Sequence, residues 1–193
     1  YCNFTGPFVV CYYNGETFAA SPSAFTSPGT ANDWMITPAI TLGSNNNSKA
    51  LLFDARSGDP SYLDGVEIYI STTGNTPQDF LTSSALYNST GIGEPVNWIT
   101  RSVDLSAYSG QTIYIGFRNN SYNKLVLGID NIKVLELSDN NDIDWMSQFL
   151  PNQIPDWIIA IEDEQERNEM MEVMGIGSEY DINNSPFYNK IVI

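Results

Sequence analysis

The stretch Asn97–Val134, NWITRSVDLSAYSGQTIYIGFRNNSYNKLVLGIDNIKV, decides the fold. Ile113, Ile115 and Phe117 alternate with Tyr114, Gly116 and Arg118, which is the period of two of a half-buried strand. Val103 and Leu105 alternate in the same way just upstream, and Ser106–Gly110 reads as a turn. Further on, Leu127 and Ile129 form one apolar set, and Ile132 and Val134 another. The two sets are out of phase. A flat strand through both would turn Asp130 to the side of Ile132, where a carboxylate needs a partner. A bulge at Asp130–Asn131 repairs the phase instead.

The rest of the N-terminal region reads the same way. Phe8–Tyr12 is a strand, and Asn14-Gly15 is a hairpin turn signal. Phe18–Thr30, rich in Ser, Pro and Ala, reads as irregular and extended. Met35–Leu42 is a short strand that Pro38 confines to an edge or a bulge. Gly43–Ser48 is a polar loop, Ala50–Ala55 an apolar strand, Arg56–Gly65 a longer loop, and Val66, Ile68 and Ile70 mark the next strand. Phe80, Leu81 and Leu86 belong to a short helix or strand. Short strands punctuated by Gly, Pro and Asn predict a sandwich of antiparallel sheets rather than βαβ units, with Ile68, Ile70, Ile113, Ile115 and Phe117 buried.

Several of these stretches also resemble a known family. Asp33-Trp34-Met35-Ile36-Thr37-Pro38-Ala39-Ile40, the strand ending in Ser71-Thr72, Val103–Gln111, Tyr114–Arg118 and Ile129–Val134 are similar, in that order, to the cleaved-adhesin or choice-of-anchor J domains. Those domains are MAM-like jelly rolls of bacterial surface and secreted proteins, including the adhesin parts of gingipain proteases. The resemblance covers about residues 1–137. It implies an all-β, jelly-roll β-sandwich and an exported module that works in adhesion. It also implies a structural calcium with the last-strand Asp130 as a ligand. Asn3 is the nearest candidate for the first-strand partner. The competing reading of Asp130 is a hydrogen-bonded residue at a bulge.

The character of the chain changes after Leu137. Residues 1–137 hold 6 basic and 11 acidic residues, net -5, whereas residues 138–193 hold 2 and 12, net -10. Ser138–Asp142 opens a linker, taken as 138–154. Pro155 then starts a run to Gly175 with helix punctuation at both ends, so 155–193 is expected to be an acidic, partly helical extension. Trp157, Ile158 and Ile161 supply an apolar stripe suited to docking on a protein partner in a larger surface assembly. Net charge -15 argues against nucleic acid. No apolar run approaches the roughly 18 residues of a membrane span. The first residue is Tyr1 rather than Met, and the sequence reads as an excised piece. Cys2 and Cys11 are too far apart to bridge within one extended segment, whereas a turn at Gly6-Pro7 brings them together; both states stay open here.

The chain has no His, which removes Ser-His-Asp and Cys-His catalysis and His-metal sites. Asp54, Asp59, Asp64 and Glu67 lie close in sequence, and a glycosidase pair is conceivable among them, but loop acids are usually solvated. The chain is therefore read as no enzyme. Trp34 and Trp98 sit inside strand motifs and read as core. The ligand candidates are in two polar loops: Arg56, Asp59 and Tyr62 in one, Asn119 and Tyr122 in the other. An aromatic face plus amide and carboxylate groups suits a glycan or a peptide. The expected work is adhesion or ligand recognition, extracellular or at a bacterial outer surface. The alternatives are a structural module docking through its tail and, further off, an accessory domain of a carbohydrate-active or proteolytic enzyme.

Overall fold

The computed structural model describes residues 2–137. The chain divides into two units between Asp139 and Asn140. The expected linker, the helix after Pro155, and Trp157, Ile158 and Ile161 lie outside the described residues.

Two antiparallel sheets face each other. One has the order β1 (Val9–Tyr13), β2 (Glu16–Pro22), β10 (Val126–Leu137), β5 (Ser48–Ser57), β8 (Ile99–Asp104). The other runs β3 (Asp33–Ile36), β9 (Thr112–Asn119), β6 (Glu67–Ser71), β7 (Tyr87–Asn88), with β4 (Ile40–Thr41) also on β9. Most connections cross from one sheet to the other, which is the jelly-roll form of the sandwich. The inward residues of β5, β8 and β10 (Leu51, Phe53, Ala55, Val103, Leu127, Ile129) meet those of β6 and β9. Ile68, Ile113, Ile115 and Phe117 are fully buried and Ile70 is 5% exposed, as the alternation predicts. Phe53 meets Phe117 edge-on, with ring centres 5.4 Å apart.

Local sequence explains the joints. Asn14 (φ 51°) and Gly15 (φ 88°) both take the left-handed conformation that a two-residue hairpin turn demands. Pro38 interrupts the stretch from Asp33 to Thr41, leaving β3 and β4 as two short pieces along β9. Thr76 and Asp79 form a capping box that starts a single helical turn, Pro77–Phe80, and seats the buried Phe80.

The phase break in β10 is a bulge. Asp130 pairs with Asp54 and Lys133 with Leu52, so Asn131 and Ile132 together oppose Phe53. Asn131 sits at φ 49°, which Asn tolerates and β-branched residues do not. The step lies one residue beyond the predicted Asp130–Asn131. Val134 returns to the core, but Ile132 stays 39% exposed. A second difference is that β2 extends through Glu16–Pro22, where an irregular stretch was expected. Pairing with both β1 and β10 outweighs the weak strand preference of Ala19-Ala20-Ser21. Cys2 and Cys11 are bridged, and the same two residues form an antiparallel β-bridge with Cα atoms 4.4 Å apart.

Candidate functional site

Four connections converge at one end of the sandwich: β2–β3, β5–β6, β7–β8 and β9–β10. Their junction is Asp64, fully buried. Its Oδ1 accepts from the Ser23 hydroxyl (2.5 Å) and the Asn119 amide (3.3 Å), and its Oδ2 from the Leu125 N–H (2.9 Å). Its own carbonyl accepts from the Glu94 N–H at 2.7 Å. One residue thereby ties all four connections together. Burial pushes the Asp64 carboxyl above the usual carboxylate range, and the hydrogen bonds from Ser23, Leu125 and Asn119 only partly oppose this. Further bonds close the cluster: Gly65 N–H to Ser121 Oγ (3.0 Å), Ala31 N–H to the Ser121 carbonyl (2.9 Å), and Asn123 N–H to the Gly29 carbonyl (3.0 Å).

Glu94 anchors the β7–β8 connection. Its buried carboxylate accepts from Tyr87 Oη (2.7 Å) and from both Nε and Nη2 of Arg101 (3.0 and 2.9 Å). Burial and the neighbouring Glu94 charge raise the Tyr87 hydroxyl pKa well above its ordinary value, so Tyr87 remains a donor.

Each of the four connections also carries an exposed apolar side chain: Phe25 (42%), Tyr62 (53%), Ile92 (88%) and Tyr122 (60%). Tyr62 and Tyr122, both expected as surface contacts, are at the same end of the molecule. Asp59 shapes its own loop, its carboxylate accepting from the Ser61 N–H (2.8 Å) and its carbonyl from the Tyr62 N–H (3.3 Å). Asn119 requires a correction. It is fully buried, its amide donates to Ser21 and Asp64, and its carbonyl accepts from Ser121, so it belongs to the hub and offers nothing to a ligand. Phe25 and Ile92 were not singled out in the sequence; single apolar residues in loops carry no periodic signal.

Arg56 leaves the loop end. It projects from the outer face of β5 with its guanidinium 5.4 Å from the Trp98 ring centre. Trp98 lies over Gly128, meets Phe18 edge-on, and donates its indole N–H to Glu16 at 2.8 Å. Trp34 occupies the corresponding place on the other sheet, over Gly116, enclosed by Phe80, Tyr69 and the Arg118 guanidinium. Both indoles are half-buried on outer faces rather than in the core between the sheets, which corrects the sequence reading. A Cβ at Gly116 or Gly128 would press on these rings, so each glycine makes the seat for its tryptophan.

The calcium pair does not assemble. Asp130 lies on β10, and Asn3 extends the β-bridge beside β1, about three strand spacings or roughly 14 Å across the sheet. Opposite Asp130, Asp54 already accepts from Thr100 (2.5 Å) and Asn131 (2.7 Å). Among the described residues no group of three His, Cys, Asp or Glu side chains converges to hold a metal. The four acids weighed as a hydrolytic pair also separate: Asp54 is on an outer face, Asp59 in a loop, Asp64 in the hub, and Glu67 pairs with Arg118 at 3.1 Å. Among the described residues no helix is long and apolar enough to cross a membrane.

Comparison with known proteins adds to this picture. Residues 2–134 match the family model described as Cleaved Adhesin Domain. Hemagglutinin A of Porphyromonas gingivalis is 27% identical over an alignment of 154 residues that covers 67% of this chain but only 6% of that protein. The K1 cleaved adhesin domain of Lys-gingipain from P. gingivalis W83 superposes with a TM-score of 0.53 at 25% identity, covering 71% of this chain and 82% of that one. The K3 domain of the same protein gives 0.52 at 20% identity, covering 64% and 75%.

Proposed function

The chain belongs to the Cleaved Adhesin Domain family, and from that membership we propose that it is a non-catalytic adhesion module that grips a surface glycan with the loop end. It works as part of a larger exported protein at the cell surface; the relatives it matches are a hemagglutinin and adhesin domains of Lys-gingipain. One observation carries the reading: four exposed apolar side chains, Phe25, Tyr62, Ile92 and Tyr122, stand on four connections held by a single buried hub at Asp64. Exposed rings on mobile loops would lose entropy on binding; rings on loops already tied together lose less. Tyr has few rotatable bonds and presents a flat apolar face with a polar tip, which suits a sugar ring and its hydroxyls. The Asn, Ser and Asp side chains around it supply hydrogen bonds.

The test is a binding screen of the full chain against an array of bacterial and host glycans, followed by calorimetry on the best binder. Tyr62→Ala and Tyr122→Ala should each weaken binding about tenfold, a loss of about 1.4 kcal/mol. Full affinity in both variants, or no glycan bound by the parent chain, would refute the assignment.

A further inference from the structure

A second recessed surface lies on the outer face of the five-stranded sheet, at the β1 edge. It is a cavity of ≈ 290 Å³ walled by the Cys2–Cys11 bridge, Phe4, Tyr13, Phe18 and Arg56, with Gly58, Val126 and Gly128 as its floor. At Gly128 the missing side chain matters: a Cβ there would lie 3.1–3.2 Å from Arg56, Trp98 and Phe18. The bare backbone therefore lets the ring of Phe18, the indole of Trp98 and the stem of Arg56 close together over the strand. The disulfide fixes the opposite wall, because it holds the N-terminal segment carrying Phe4 against β1.

The chemistry of this recess is asymmetric. Its walls are rings, a disulfide and aliphatic carbon, and its one charge is the Arg56 guanidinium. Among the described residues Arg56 makes no ion pair and no side-chain hydrogen bond, whereas Arg101 and Arg118 are each paired with a carboxylate. Asp54 and Asp130 stand on the same outer face two residues along from Arg56 and Gly128, but neither forms an ion pair with Arg56; Asp54 is bonded to Thr100 and Asn131, and Glu16 is bonded to Trp98. An Arg stacked on an indole with its donors unspent, in a chain of net charge -15, is complementary to an anion. One guanidinium among apolar walls fits a singly charged carboxylate better than a phosphate, which calls for more donors. A sugar would bring a ring of hydroxyls that these walls cannot satisfy. The volume, at the lower end of the roughly 300–1,000 Å³ of small-molecule pockets, suits one bulky side chain.

We propose that this recess is a peptide-docking site, separate from the loop end, that takes a bulky apolar side chain next to a carboxylate, with Arg56 pairing the carboxylate. The occupant is a polypeptide segment of another protein.

The experiment titrates the full ¹⁵N-labelled chain with N-acetyl-phenylalanine, its neutral amide, and glucuronic acid, following the Trp98 indole N–H and the Gly58 and Gly128 amides by NMR. N-acetyl-phenylalanine should shift these three signals, and the amide should bind at least about tenfold more weakly. Arg56→Gln should lose the same factor with its melting temperature unchanged, and Phe4→Ala, on an exposed wall, should weaken both probes alike. Tyr62→Ala should leave the titration untouched, so failure here and failure of the loop-end assignment are told apart. Equal binding of acid and amide, retention of acid binding in Arg56→Gln, or stronger binding of glucuronic acid than of N-acetyl-phenylalanine would overturn the proposal.

Discussion

Asp64 shows how much one side chain can organise. Three donors converge on a buried carboxylate that has no cationic partner among the described residues. Because burial raises its pKa in the folded state above the unfolded value of 3.8, the native protein holds this proton more tightly than the unfolded chain does. Its contribution to stability is therefore fullest below that value and declines as pH rises through the folded pKa. Asp64→Asn cannot accept from Ser23, Asn119 and Leu125 at once, so at about pH 4 it should cost on the order of 1–3 kcal/mol. The gap to the parent should narrow towards neutrality, measured by urea unfolding across pH; a constant or widening gap would contradict the assignment. Glu94 is the opposite case, a buried carboxylate with a cation. Arg101→Met should destabilise by about 3–5 kcal/mol by stranding that charge, and Glu94→Gln combined with it should restore most of the loss. Neither hub was legible in the sequence. Asp64 sits in a loop and Asn119 closes β9 in a polar stretch that looks like any surface loop, and only the pairing of β2, β5 and β9 with their neighbours brings the two together.

At the scale of the elements, the sequence was most informative where a periodic pattern or a special backbone conformation was required. The alternation in β6 and β9 marked the core face residue by residue. The Asn14-Gly15 turn and the interruption at Pro38 could each be read from one or two residues. The β10 bulge was legible as a phase conflict, but its location was one residue off, since periodicity dates the break only to the interval between the two apolar sets. Asn131→Val should lower stability by about 1–2 kcal/mol because a β-branched residue resists φ 49°, whereas Asn131→Gly should cost less; thermal unfolding of the pair decides this. Gly65→Ala tests the loop hub in the same way. Its Cβ would fall 2.5 Å from the Ser89 and Thr90 backbone, so the β7–β8 connection must move. The variant should unfold at lower denaturant and lose affinity for the loop-end ligand together. The two tryptophans were misread as core because a strand motif does not say which face of a two-sheet molecule an indole takes.

For the whole molecule, the sandwich is a rigid stand that presents two unlike surfaces: exposed apolar side chains on tied loops at one end, and a charged recess at the β1 edge. The jelly-roll class was legible from the ordered motifs, and residues 2–134 match the family along that same span. What the fold adds is convergence, since Phe25, Tyr62, Ile92 and Tyr122 are far apart in sequence and come to the same end of the sandwich only through the crossing connections. Adhesion through the loop end rests on those side chains. The most direct measurement is the affinity of the Tyr62→Ala/Tyr122→Ala double variant for the glycan selected by the parent chain, with the melting temperature as a check on folding. Glycan binding by the loop end predicts an unchanged melting transition and a loss of affinity of about a hundredfold, the sum of two independent contacts of about 1.4 kcal/mol each. An intact fold with undiminished affinity would contradict it.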